Sequence, residues 1–421
     1  MPRFAARMAL SRASLASSMR NPIPELLDEM LRECADDDGG ELHDEIPELA
    51  EADPDRFAIA LCTADGTVYA TGDAEHRFTI QSISKPLVYA LALADRGLEK
   101  VLEHVGVEPS GDAFHEISLE PSGRPRNPMI NVGAVTTHSL VGDPAWSLAE
   151  RDERVRAGLS AFAGRELEID EAVFESERSV ASHTLALAYL SHSQGKLDGE
   201  PHDAVDGYIR QCSMLVDVRD LAVMAMTLAR GGKNPITGEQ VVPVWACTQA
   251  LSVMATCGMY DAAGDWMSRV GIPAKSGVAG GVLGALPGQI GAGAFSPRLD
   301  DVGTSVRGAR AFARMSTEFG LHLMHAPEMA AHVLYGVVEP DTDRDGMREV
   351  QLQGTMHFAA AEAAVRELEA LPDGTEPIGI DLSRVASASA IGRRLLTEAI
   401  ERMRADDREV RVTDPDGVLG A

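Results

Sequence analysis

Ser82-Ile83-Ser84-Lys85 is the segment of this 421-residue sequence with the most direct chemistry. Helical residues three apart lie about 60° apart around the axis, so Ser82 and Lys85 share a face and Ser84 points elsewhere. Loss of solvent disfavours a charged amine, and a neutral lysine amine can take the proton of a neighbouring hydroxyl. The start of a helix also offers backbone N–H groups to a developing oxyanion. A second motif, Lys275-Ser276-Gly277, heads a stretch of glycines and small apolar residues that runs to Phe295. The chain has only five lysines, Lys85, Lys100, Lys196, Lys233 and Lys275, so two of them falling in these motifs is informative. Together the motifs point to acyl transfer through an activated serine.

S-x-x-K followed far downstream by K-[ST]-G is the paired signature of penicillin-recognising serine hydrolases, where the second lysine sits on a strand beside the active site. More specifically, the chain from about Pro22 to Phe319 resembles the glutaminases of the serine β-lactamase-like fold. The blocks that carry the resemblance begin with Phe78 to Pro86, Glu108-Pro109-Ser110-Gly111 and Asn127 to Ala134. They continue through Glu175-Ser176-Glu177-Arg178, Tyr208 ahead of Cys212-Ser213, Asn234 to Gly238, Cys257 to Asp261 and Pro273 to Gly281.

The resemblance implies an α/β (α+β) catalytic domain like that of serine β-lactamases and penicillin-binding proteins, hydrolysing L-glutamine to L-glutamate and ammonia without a cofactor or metal. It makes Ser82 the nucleophile, Lys85 its base and Tyr260 a proton-transfer partner. Asn131, Glu177, Tyr208 and Thr184 would meet the substrate, with the N–H of Val278 joining that of Ser82 around the oxyanion. Gln81, Lys275, Ser276 and Gly277 would form the supporting shell. An amide carbon needs an activated nucleophile, its oxyanion needs fixed donors and departing ammonia needs a proton, so the physical requirements agree. Glu177 supplies the carboxylate that a free α-ammonium group requires.

Two positions depart from the family. Where it has Asp-Arg-Asn, this chain has Ser182-His183-Thr184, and where it has Tyr before Ile-Pro, this chain has Glu45 before Ile46-Pro47. Both touch substrate positioning and neither touches Ser82 or Lys85. Glu45 and Thr184 therefore suggest a family amidase with shifted substrate preference; a further alternative is a catalytically weak amino-acid sensor that signals through a C-terminal domain.

The elements that must hold these residues follow from periodicity. Pro22 to Cys34 is an amphipathic helix, and Phe57 to Cys62 with Val68 to Ala70 form strands joined by a turn at Asp65-Gly66. A buried helix runs from Ser82 to about Arg96. Ala134 to Gly231 is mostly helical, Pro243 to Met254 is another helix, Lys275 to Phe295 reads as glycine-rich strands and Val306 to Phe319 as a final helix.

Near residue 330 the texture changes. Strands at Val333–Val338, Val350–Gln353, Ile378–Leu382 and Val410–Val412, with helices at Ala359–Ala370 and Ile391–Met403, make a separate small α/β unit. Val350 to Phe358 and Asp381 to Val385 resemble the STAS domain, which implies a protein-interaction or oligomer-modulating role. In regulatory members a serine just after an Asp at the next helix start accepts phosphate. Ser389 and Ala390 stand there instead, so that switch is expected to be missing. The expected domains are a disordered extension over 1–21, a catalytic domain over 22–328 and the STAS-like domain over 329–421.

A net charge of −27 argues against nucleic acid, since phosphate binding needs clustered cations. No membrane span is expected. Cys34, Cys62, Cys212, Cys247 and Cys257 are odd in number and form no C-x-x-C pair, as suits buried thiols in a reducing cytoplasm. Arg3, Arg7, Arg12 and Arg20 without acids give the first twenty residues a transit-peptide-like composition, but no apolar core or cleavage site follows. His322 with His325, the acidic runs Asp36-Asp37-Asp38 and Asp341 to Asp345, and the glycines of 277–293 lack the ligand spacing of metal, calcium or phosphate sites. The family's habit implies a homodimer or homotetramer.

Overall fold

The computed structural model describes residues 21–110, 119–325, 333–339, 346–372 and 376–420. The N-terminal extension, the expected domain boundary at 328 and the acidic run Asp341 to Asp345 lie outside the described residues. The chain separates into two compact units, one spanning Ile23–Ala326 and the other including Pro327–Ala421.

The larger unit is organised by an antiparallel sheet. Its strands are β1 (Ala58–Thr63), β2 (Val68–Gly72), β5 (Ala274–Ser276), β6 (Gly281–Leu286) and β7 (Ile290–Phe295), in the order β2-β1-β7-β6-β5. A two-stranded ribbon pairs β3 (Phe78–Thr79) with β4 (Leu215–Val216). Every residue of β1, β6 and β7 is buried, and apart from Thr63 these strands carry apolar residues and glycines on both faces without alternation. The helix Val218–Ala229 covers one face, while Ile23–Ala35 and Val306–Phe319 also pack on the sheet. Glycine sets how close the covering helix comes: a Cβ at Gly291 would meet Ala222 O at 2.2 Å, and one at Gly293 would meet Val218 O at 2.6 Å.

The helical part of this unit surrounds Ser84–Arg96, whose residues from Ser84 to Leu93 are all buried. Asn131–Ser139, Leu148–Ala163 and Val244–Cys257 pack around it. Local signals fix their ends. Ser147 and Glu150 form a capping box at Leu148–Ala163, Asp217 and Asp220 form one at Val218–Ala229, and Gly231, at φ 69°, follows the last turn of the latter.

One expectation needs correction. The α-helix does not begin at Ser82 but at Ser84, after a 3₁₀ turn over Gln81–Ile83. Residues three apart eclipse in a 3₁₀ turn, so the shared face of Ser82 and Lys85 survives. Gln81 opens the turn at φ 49°, a left-handed conformation that a residue with a Cβ rarely adopts.

The second unit holds β8 (Leu334–Val338), β9 (Arg348–Met356), β10 (Ile378–Ala388) and β11 (Val410–Thr413), ordered β11-β10-β9-β8. β9, β10 and β11 are parallel and β8 is antiparallel to β9. The helices Phe358–Glu369 and Ala390–Ala405 supply the crossovers and bury Phe358, Val365, Leu395 and Leu396. Ser389 caps the second helix, accepting from Gly392 N and donating to Met356 O at 3.2 Å.

Candidate active site

Ser82 opens on a cavity of about 810 Å³ lined also by Gln81, Asn131, Glu177, Thr184, Tyr208 and Val278. Residues distant in sequence thus meet around one hydroxyl, as the spacing argument requires. Lys85, Tyr260, Lys275, Ser276 and Gly277 are not on the cavity wall but buried behind it.

Lys85 is 1 % exposed and donates to Asn131 Oδ1 at 2.7 Å and to Met129 O at 3.2 Å. Burial pulls its amine down to about 8, against the opposing fields of Cys212 and Glu177. A substantial fraction is therefore neutral near physiological pH. The Tyr260 hydroxyl is hydrogen-bonded to Ser82 and kept protonated by burial. Its backbone, like that of Gln81, is left-handed, at φ 55°. Two such residues on either side of one hydroxyl mark a strained, over-determined site.

Lys275 lies under the tyrosine, with Nζ 3.9 Å from the ring centroid and 2.9 Å from Ser276 O. Burial, and then the field of Lys85, hold its amine well below the ordinary lysine range. A Cβ on Gly277 would stand 3.0 Å from Ile80 O and 3.3 Å from Gln81 Cβ. Glycine here lets β5 and the residues after it press against the turn that carries Ser82, which brings Val278 to the cavity beside it.

Glu177 accepts from Gln81 Nε2 at 3.3 Å. Loss of solvent pushes its carboxyl up to about 7, opposed by that bond and by Lys85. The same amide of Gln81 reaches Thr79 Oγ1 at 3.3 Å, so Gln81 couples the acid to the turn that carries Ser82.

Sequence reasoning missed the rim. Glu41, Asp44, Asp300 and Asp301 join Glu45 and Glu177 on the wall with His43 and His183, and among the described residues no lysine or arginine lines the cavity. The acidic residues at 41–45 and 300–301 come from two loops that meet through the bridge Glu41↔Leu299, a tertiary pairing without a local signature. Among the described residues, no group of three or more His, Cys, Asp or Glu could hold a metal ion.

A buried amine of lowered basicity, a hydroxyl opening on a cavity and a second hydroxyl bonded to it are the groups that acyl transfer requires. The comparisons with known proteins narrow the class. The glutaminase family profile matches residues 40–324. A glutaminase of Corynebacterium glutamicum is 46% identical over 400 residues, covering 94% of this chain and 95% of that one. The crystal structure of a protein called Mglu superposes with a TM-score of 0.73 at 46% identity, over 95% of this chain and 100% of that one. Mglu in its L-glutamate binding form, at 4.3 M NaCl, gives 0.72 at 43% identity over 96% and 100%. The chain belongs to the glutaminase family, amidohydrolases that act on the carbon–nitrogen bond of glutamine.

Proposed function

We propose that this chain hydrolyses L-glutamine to L-glutamate and ammonia through a Ser82 acyl-enzyme. The observation that carries the reading is the hydroxyl of Ser82 on the cavity wall, bonded to Tyr260 and one turn ahead of the buried, low-pKa amine of Lys85. Lys85 takes the Ser82 proton as Oγ attacks the carboxamide carbon. The oxyanion faces the N–H groups of Ser82 and Val278, and Tyr260 passes a proton to the departing ammonia. Water then attacks the acyl carbon, and glutamate leaves as Ser82 regains its proton. Glu177 holds the α-ammonium group, while Asn131, Tyr208 and Thr184 face the amino-acid end. Ser82→Ala and Lys85→Ala are each expected to lower turnover by about 10⁴-fold with an unchanged circular dichroism spectrum. Turnover within about tenfold of the parent in Ser82→Ala would refute the mechanism.

A second reading, a shifted amide preference, draws support from Glu45 and Thr184, which both line the cavity. Ammonia release from a panel of primary amides separates the two.

We read residues 329–421 as a STAS-like domain with an interaction or oligomer-modulating role, supported by the parallel β9-β10-β11 core with its helical crossovers. Ser389 serves as a helix cap. A cytoplasmic homodimer or homotetramer completes the proposal. Among the described residues, no helix is long and apolar enough to cross a membrane.

A further inference from the structure

The nucleophile turn is also held from behind, by polar side chains that do not line the cavity. Ser84 Oγ donates to the Gln81 carbonyl at 2.7 Å and accepts from Gln211 Nε2 at 2.9 Å. Gln211 Oε1 lies 2.9 Å from His138 Nδ1. Because the amide nitrogen is committed to Ser84, its oxygen accepts from Nδ1–H, which leaves His138 Nε2 as the open position of the ring. Nε2 faces Asp152 Oδ1 at 3.9 Å, and both atoms are buried without a hydrogen-bond partner.

Ser84 and His138 are 0 % exposed and Gln211 is 1 % exposed. The helix Pro201–Cys212 passes this point with a glycine, and a Cβ at Gly207 would meet His138 Nε2 at 2.3 Å and Asp152 Oδ1 at 2.8 Å. A buried polar chain is costly unless every member is satisfied, and apolar side chains could fill the same space. This one ends on the carbonyl of Gln81, the left-handed residue directly before Ser82.

We propose that Gln211 and His138 are positioning residues, a hydrogen-bonded relay through Ser84 that clamps the Gln81 carbonyl and so holds the Ser82 hydroxyl in place against Lys85 and Tyr260. The inference rests on the acyl-enzyme reading above. Loss of solvent pulls the His138 imidazole down to about 4, opposed by the Gln211 bond and aided by Arg151, so the ring stays neutral and donates through Nδ1.

The test uses the full chain and glutamine as substrate. Gln211→Leu removes the central link and should lower kcat about tenfold while KM stays within about twofold, because a small displacement of a nucleophile costs rate and not uniform binding. Ser84→Ala breaks the same link with a nearly isosteric change, so it reports even if Gln211→Leu does not fold, and it should lower kcat about three- to tenfold. Parental kcat in a folded Gln211→Leu or in Ser84→Ala, or a loss that appears in KM alone, overturns the relay. Ser82→Ala, run alongside, separates the hypotheses: substantial turnover there removes the acyl-enzyme reading itself, whereas an inactive Ser82→Ala beside a parental Gln211→Leu removes only the relay.

Discussion

The Lys275 amine lies 3.9 Å from the centre of the Tyr260 ring, while the Lys85 amine is 5.6 Å from the same ring. Both lysines therefore sit around one tyrosine whose hydroxyl is bonded to Ser82, but only Lys85 shares the helical face of the serine. Lys275 lies beneath the ring and donates to Ser276 O, while burial and the field of Lys85 disfavour its charged form.

Lys275→Met keeps volume beneath the ring but loses the donor. The expected result is a fall in kcat of roughly ten- to a hundredfold with little change in KM, from displacement of Tyr260. Lys275 is not among the groups that shift Lys85, so the pH at which Lys85 titrates should stay near about 8 in the variant. A marked upward move of that titration would show that Lys275 acts as a cation.

The pH profile follows from two groups. Lys85 must be neutral to accept a proton and titrates at about 8, and Glu177 must be ionised to hold an ammonium group and titrates at about 7. Both requirements are lost as pH falls. On a logarithmic plot, kcat/KM should rise with pH, with a slope near two below about 7 and a plateau above about 8. An optimum near pH 5 would contradict these roles.

The rim bears on affinity. The substrate's α-carboxylate enters a cavity whose charged wall is acidic, Glu45 stands where the family has a neutral phenol, and Thr184 is shorter than the family's Asn. Thr184→Asn with Glu45→Tyr should lower KM for glutamine about three- to tenfold, with a smaller effect on kcat. Steady-state kinetics on the double variant decide it; an unchanged KM means that other residues make these contacts.

A chain ending at residue 328 should remain soluble and active, since the cavity and its support lie within Ile23–Ala326. Gel filtration and ammonia release on the fragment check this. An inactive or insoluble fragment would make the C-terminal unit part of the working enzyme.

How much of this was legible in the sequence depends on what each feature needs. The Ser82–Lys85 pair was legible because the i, i+3 relation survives whether the turn is 3₁₀ or α. The strand β10 was expected to stop at Leu382 but continues to Ala388, because register shifts at Asp381/Arg384 and Val385/Ser387 let exposed polar residues interrupt the apolar alternation. Neither the acidic rim nor the Ser84–Gln211–His138 chain could be read, since each joins side chains from separate elements that only the folded backbone brings together. The left-handed conformations of Gln81 and Tyr260 were hidden for another reason. Neither is glycine or asparagine, so no residue type announces the strain.

The burial of Lys85 and Lys275 has a practical side. Lys100 pairs with Glu103, Lys196 donates to the Glu103 carbonyl, and Lys233 is exposed. Reagents that couple to side-chain amines thus find one patch around Glu103 and one site at Lys233, while the two amines of the reaction centre are out of their reach. Attachment to a solid support through lysine chemistry would tether the molecule at defined places and leave the Ser82 cavity open.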